Sequence, residues 1–313
     1  MIAFDPASLD CLAALADTGS FDRAAQQLSI TQSAVSQRLR ALETGLGRLL
    51  VVRSRPLRLT EPGKLLLRHA RQIQALQADI ARELGTVVGQ PERLPIAVNA
   101  DSLATWVVPA LSDCVLEGHR QGFGLELIVD DQDFTHDWLR EGAVLGCVST
   151  VADALRGCSV TPLGTMRYIA VASRAFIAQA MPNGLNRANF SKLPWLVFNR
   201  KDDMPTAWVS KAFGLKDPRL TARSVPSTEA HARAAAMGWG IGVMPEQMAS
   251  QWLDRGELQA LHPDVYIDVR LHWHQWKLRA DDMPVPSLRV GALDQVGLAL
   301  AAGARRFLRP TPG

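Results

Sequence analysis

Residues 23–43 read RAAQQLSITQSAVSQRLRALE, and the fold of the N-terminal third turns on this stretch. Ser29-Ile30-Thr31 has the composition of a tight turn, and Thr31 is a good N-cap for a helix running to about Thr44. Ile30 just before that cap and Val35 four residues after it have the spacing of a hydrophobic staple, which fixes the angle at which the chain enters the helix. Val35, Leu39 and Leu42 form one apolar stripe, leaving Gln32, Ser33, Ser36, Gln37 and Arg40 on the opposite, hydrogen-bonding face. Upstream, Ser20 can cap a short helix over 21–28, and a first helix over 6–18 stops at Gly19. Small Ala24 and Ala25, then Leu28, Ile30, Val35 and Leu39, fit a helix-turn-helix whose second helix enters a DNA major groove. Any helical hairpin imitates part of this pattern.

Downstream, LLVVRS (49–54) and Leu57-Arg58-Leu59 predict a small basic hairpin in the position of a wing, where Arg53 and Arg58 meet phosphate or a minor groove. Thr60 caps a long helix to about Leu84. Its Leu66, Ile73 and Ile80, seven residues apart, with Leu76 beside them, form either a core stripe or a dimer seam of coiled-coil type. GTVVGQPERLP (85–95) reads as a linker. Charge follows this division. Residues 1–90 hold 11 Lys/Arg against 8 Asp/Glu, whereas the remainder balances at 23 of each, so the whole net charge of +3 lies in the first part. A basic, Trp- and Tyr-free segment over 20–71 suits duplex phosphate better than stacked single strands.

Beyond residue 95, short apolar runs at 96–99, 125–129, 143–148, 168–171, 195–198, 241–244 and 266–271 alternate with helical segments, the pattern of an α/β architecture with mostly parallel sheets. A length of 313 residues allows two cores. No apolar run approaches a membrane span, and nothing directs the chain out of the cytoplasm. Cys11, Cys114, Cys147 and Cys158 lack metal-ligand or redox spacing, so buried thiols, with no metal and no cofactor, are expected. GWGIG at 238–242 precedes a strand, the reverse of a dinucleotide fingerprint, and no GxSxG, Walker A or HExxH supports an enzyme. His272 and His274, alternating with Trp273, read as packing residues.

The quoted helix-turn-helix, the LLVVRS wing and LTEPGKLLL (59–67) together resemble the winged helix-turn-helix of the LysR-type transcriptional regulators. NADSLATWVVPAL (99–111), PLGTMRYIAVAS (162–173), KDDM (201–204) and HWHQWKL (272–278) resemble the ArgP/LysG branch of that family, which governs export of lysine and arginine. The wing departs most, with Leu57 and Leu59 around Arg58. The resemblance implies a winged DNA-binding domain at 1–59, a dimerisation helix at 60–84, a hinge at 85–95 and an effector domain at 96–313. That domain is of the periplasmic-binding-protein type, with two α/β lobes, the first at about 93–163 and 268–313, the second at about 164–267. Implied partners are double-stranded DNA, a lysine or arginine effector, a second copy of the chain or a tetramer, and RNA polymerase if the protein activates. A LysR-type regulator with another effector, an α/β enzyme and a solute-binding protein are the alternatives.

For the effector, the resemblance makes Ser102 a candidate for the amino-acid carboxylate, and Asn99 to Ser102, between a strand and a helix, is the kind of place where helix-start N–H groups hold anions. The cationic ends need acids. Asp101, Asp130, Asp131, Asp202 and Asp203 stand at strand ends or helix starts, as do Ser149 and Glu229, and Trp106 is a candidate cleft wall.

Overall fold

The computed structural model describes residues 4–54, 57–86, 92–130, 135–278 and 290–311. Its N-terminal unit opens with α1 (Pro6–Thr18), capped by the Asp5 carboxylate on the Ser8 N–H and closed by left-handed Gly19. In α2 (Phe21–Gln27), Ser20 holds the cap position without a side-chain cap bond. Thr18 Oγ1 instead engages the Ser20 backbone, which corrects the expected role of Ser20. Thr31 caps α3 (Gln32–Leu46) through the Ala34 N–H, and the helix runs two residues further than expected, to Gly47. Ile30 and Val35 share one apolar cluster with Leu12, Leu15, Ala24 and Leu39. The wing is a two-residue ladder, β1 (Val51–Val52) against β2 (Arg58–Leu59). Thr60 caps α4 (Glu61–Glu83). At Gly63 a Cβ would lie 2.0 Å from the Leu50 carbonyl oxygen, so only glycine lets the first turn of α4 sit against the wing.

Leu66 is inside the core of this unit and Ile73 packs against it, so neither belongs to a seam facing outward. The apolar side chains that α4 turns to solvent are Leu65, Ile80 and, just past its end, Leu84, with Leu76 half-buried.

The effector unit follows. Its elements are β3 (Glu92–Asn99), α5 (Ala100–Ser102) continued by a π-helical turn over Leu103–Val107 into α6 (Val108–Gln121), β4 (Phe123–Asp130), α7 (Thr135–Arg140), β5 (Gly146–Ser149) and β6 (Cys158–Ser173). Next come α8 (Arg174–Ala180), β7 (Pro194–Val197), α9 (Met204–Phe213), β8 (Thr221–Ser224), α10 (Thr228–Ala236), β9 (Gly242–Pro245), α11 (Glu246–Asp254), β10 (Leu258–Trp276) and α12 (Ala292–Phe307). One sheet has the order β4-β3-β5-β10-β6-β9, and β7-β8 forms a second, bridged from Trp195 to Ile241, the residue before β9. β3 is parallel to β4 and β5, and β7 to β8, but β10 runs antiparallel to β5 and β6, and β6 to β9. The expectation of mostly parallel sheets is therefore corrected: β6 and β10 are long crossover strands joining two α/β lobes. Pro95 falls inside β3, where the ladder to β5 starts only at Ile96, so its missing N–H is not needed there.

Cys11, Cys147 and Cys158 are buried, Cys114 only half so. Burial pushes the Cys158 thiol up to about 12 and Cys147 in the same direction, which keeps both protonated. Among the described residues no helix is long and apolar enough to cross a membrane.

Helix α4 is fastened to the first lobe along its length. Lys64 pairs with Glu141 at 2.6 Å, Arg71 donates to the Ala143 carbonyl and pairs with Asp17, and Arg68 stacks on Trp276 at 4.8 Å. At its far end the buried Asp79 accepts the Ala292 N–H at 3.0 Å and pairs with Arg82, which reaches Glu92 at 2.5 Å. Gly291 precedes α12 with no side chain to cap it, and a Cβ there would come 2.6 Å from Asp79 Oδ2, so α4 supplies the cap of α12. Burial pushes the Glu92 carboxyl up to about 7, against the pull of Arg82. Asp79→Ala, which leaves Arg82 with Glu92 as its one carboxylate partner among the described residues and uncaps α12, should destabilise the chain by about 3 kcal/mol in denaturant melts. Glu92→Gln, replacing a group already half neutral near pH 7, should cost under about 1 kcal/mol.

Candidate functional site

Two surfaces carry the chemistry, the outer face of α3 and the cleft between the lobes. On α3, Gln32, Ser33, Gln37 and Arg40 are exposed and Ser36 is half-buried, while Val35, Leu39 and Leu42 anchor the opposite face. Ser33 Oγ lies 2.9 Å from Thr31 Oγ1. Arg38, between them, points back toward Cys11 Sγ at 3.9 Å and takes no part in the outer face. Arg53 is exposed with its guanidinium 5.4 Å from the Phe21 ring centre, which orients it beside the α2–α3 pair. Arg58 is also exposed, and it borders a cleft of about 620 Å3 between the N-terminal unit and the first lobe, together with Arg93 and Glu126. The result is a rigid helix face of amide, hydroxyl and guanidinium groups beside a basic hairpin.

The inter-lobe cavity measures about 270 Å3. The first lobe contributes Asn99, Ala100 and Asp101, the crossover strand Tyr168, and the second lobe Asp202, Asp203, Thr228 and His231, with Val129, Phe198 and Met244 as apolar walls. Asp101 accepts the Tyr168 hydroxyl at 2.7 Å, linking the start of α5 to the crossover. Asp202 Oδ2 accepts the Phe198 N–H at 2.7 Å and Oδ1 the Met204 N–H at 3.1 Å, so this carboxylate shapes the turn into α9 as well as lining the cavity. Asp203 holds the N-cap position of α9 without a side-chain cap bond.

Several expected residues lie elsewhere. Trp106 is fully buried in the core, not a cleft wall. Ser149 is buried and accepts the Val151 N–H at 3.2 Å, closing the turn after β5 away from the cavity. Glu229 is exposed, because α10 turns Thr228 and His231, three residues apart, toward the cleft and the residue between them outward. Ser102 is completely enclosed just behind the lining residue Asp101. Asp130 ends β4 in register with Asn99, and Asp131 lies outside the described residues. Sequence reasoning sought charge at the start of α10 and so missed Thr228 and His231. The signal available was their spacing on one helix face.

Four buried polar atoms of this region have no hydrogen-bond partner among the described residues: Asn99 Oδ1, Ser102 Oγ, Thr228 Oγ1 and His231 Nε2. Leaving such an atom unpaired costs about 1–3 kcal/mol. Three of the four belong to residues lining one cavity, on both of its sides, as in a site completed by a polar ligand. Burial pushes the His231 imidazole down to about 4, so it is neutral at physiological pH.

Residues 6–64 match the family described as bacterial regulatory helix-turn-helix protein, lysR family, and residues 89–281 match the LysR substrate binding domain. The chain belongs to the LysR family. It is 40% identical to the HTH-type transcriptional regulator ArgP of Aeromonas salmonicida, across 99% of this chain and 100% of that one. The crystal structure of ArgP from Mycobacterium tuberculosis superposes with a TM-score of 0.82 at 37% identity, covering 99% of this chain and 100% of that one. Full-length LysG from Corynebacterium glutamicum, solved with the effector arginine bound, superposes with a TM-score of 0.73 at 35% identity over 98% of this chain and 100% of that one. This LysR-family chain is accordingly a DNA-binding transcriptional regulator and not an enzyme, with α3 in the helix-turn-helix and the inter-lobe cavity in the substrate-binding unit.

Because the His231 pKa drops from an ordinary 6.5 to about 4 on folding, the unfolded chain binds one more proton between those values. Stability should therefore rise with pH across that window and fall as pH drops through it. Denaturant melts from pH 4 to 7 should show a shallower slope in His231→Gln than in the wild type.

Proposed function

We propose that this LysR-family regulator binds double-stranded DNA as a homodimer, responds to lysine or arginine, and governs a gene for basic amino-acid export. The arginine-bound LysG structure, similar to this chain over nearly its whole length, carries the effector reading. The chemistry of the cavity supports it. The helix start at Asn99 to Ser102 offers N–H groups to a carboxylate, with the unpartnered Ser102 hydroxyl enclosed just behind it. Asp101 and Asp203 supply the negative charge that an ammonium or guanidinium requires, and Asp131, expected from the sequence to join them, lies outside the described residues. Calorimetry should show lysine or arginine binding and no binding of neutral amino acids of similar size. Ser102→Ala and Asp203→Asn should each weaken it by about 10- to 150-fold, the loss of one charged hydrogen bond in a closed site. Wild-type protein that binds neither basic amino acid would remove the effector assignment and leave the DNA-binding one in place.

Gln37 and Arg40, with Gln32, Ser33 and Ser36, are the base- and phosphate-reading set in this reading, and Arg53 and Arg58 hold the backbone. Gln37→Ala should cost about 1–3 kcal/mol at the operator and little on random DNA, whereas Arg53→Ala should lower both affinities together. The dimer forms through the outward face of α4, where Leu65 lines an apolar groove with Phe4 and Leu46 and half-buried Leu76 and exposed Ile80 follow further along the helix. Charge at Ile80 should yield monomers by light scattering and abolish operator binding. An intact dimer with unchanged operator affinity would refute this assignment.

A further inference from the structure

The cleft between the winged unit and the first lobe is larger than the cavity between the lobes. Its volume of about 620 Å3 falls within the range of small-molecule sites. The floor is a face of the first-lobe sheet, where Pro95 of β3 stands opposite Glu126 of β4 and Ile128 follows two residues on. Leu57 of the wing, Leu67 of α4 and Trp138 of α7, the last 36% exposed, add apolar walls and an indole ring. Three carboxylates border the cleft, and each pairs with a cation: Asp17 with Arg71, Glu141 with Lys64 at 2.6 Å and Glu126 with Arg93 at 3.0 Å. The fourth cation of the lining, Arg58 of β2, is exposed and has no carboxylate partner among the described residues. One positive charge is thus left over beside an apolar, partly aromatic wall.

We infer that this cleft is a second ligand site, that it takes a flat aromatic monoanion, and that its occupant competes with DNA for Arg58. The rings of such a ligand lie against Trp138, Leu57 and Ile128, where burial of apolar surface supplies affinity, and its acid group meets the guanidinium fork. Charge sets the class. A neutral aromatic leaves Arg58 unpaired, whereas a second negative charge meets cations already held by Asp17, Glu126 and Glu141. The competition rests on the reading in which Arg58, as part of the wing, holds the DNA backbone. A guanidinium turned into the cleft by the ligand is withdrawn from phosphate, so ligand and DNA weaken each other by the same factor. This site touches the DNA-binding unit directly, through the strand that carries Arg58, and acts without passing through the cavity between the lobes.

The test uses two fluorescent probes on the full chain: anilinonaphthalene sulfonate, an aromatic monoanion, and phenylnaphthylamine, the same rings without the anion. Arg58→Gln should weaken the sulfonate about fivefold and the neutral probe less than about twofold, whereas Trp138→Leu should weaken both by about threefold or more. Duplex DNA should displace the sulfonate from the wild type, and the sulfonate should lower wild-type DNA affinity by the same factor. Trp138→Leu, which lies outside the DNA-reading set, should bind DNA like the wild type and resist the sulfonate. Sulfonate that binds wild type and Arg58→Gln equally, or binds neither, overturns the site. If Arg58→Gln holds duplex DNA as tightly as wild type, the wing reading falls and takes the competition with it, while the two-probe cycle still decides the site. If Arg58→Gln loses DNA affinity but DNA leaves the sulfonate bound to wild type, the competition alone is overturned.

Discussion

The antiparallel pairing of β6 with β10 is the constraint on which the effector unit depends. It runs from Leu258 opposite Ser173 to Trp276 opposite Cys158, passing from one lobe into the other, with irregularities at Leu261/Tyr266 and Leu271/His272. Each lobe is built outward from one half of this ribbon: β5, β3 and β4 on one side, β9 on the other. The Arg167 guanidinium makes two bonds to the Asp268 carboxylate across the ribbon, at 2.8 and 2.9 Å, and also lies over the Tyr266 ring. That pairing raises the Arg167 pKa and lowers that of Asp268. The cavity lies beside these two strands, bordered by Tyr168 of β6.

Among the described residues, the side-chain bonds that tie the DNA-reading unit to the effector unit fall on the first lobe. Contacts from Lys64, Arg68, Arg71 and Asp79 tie α4 to the first lobe through Glu141, Trp276, Ala143 and Ala292. These contacts join α4 and the first lobe through ion pairs, a cation–ring contact and a helix cap. Buried charge makes this attachment specific. Asp79 and Arg82 are costly to desolvate, so they favour the single geometry in which both find partners.

Much of the N-terminal unit was legible because its cues are local. Gly19 and Thr31 act through neighbours within one helical turn, and Val35, Leu39 and Leu42 bury as their spacing requires. The heptad at Leu66, Ile73 and Ile80 was legible as a pattern but not as a surface. Seven residues fall about 20° short of two full helical turns, so the stripe slides around α4, from the core at Leu66 to solvent at Ile80. In the effector unit β8 gave no signal, since Thr221 to Ser224 are all exposed and carry no apolar alternation. The lengths of β6 and β10 were hidden too, because Pro162, Gly164 and the His262-Pro263-Asp264 stretch read as breaks between shorter strands.

Sequence alone determined the helix-turn-helix, its outward polar face, the basic wing and the α/β character of the remainder, because periodicity and capping act over a few residues. Tertiary structure alone decided the cleft. Asn99, Tyr168, Asp203, Thr228 and His231 are far apart in the chain and meet only because two crossover strands set the lobes face to face. Which side chains bury an unpartnered polar atom there depends on packing from elements distant in sequence. It is why Glu229, the charged residue that invites attention, faces water while Thr228 and His231 face the cavity.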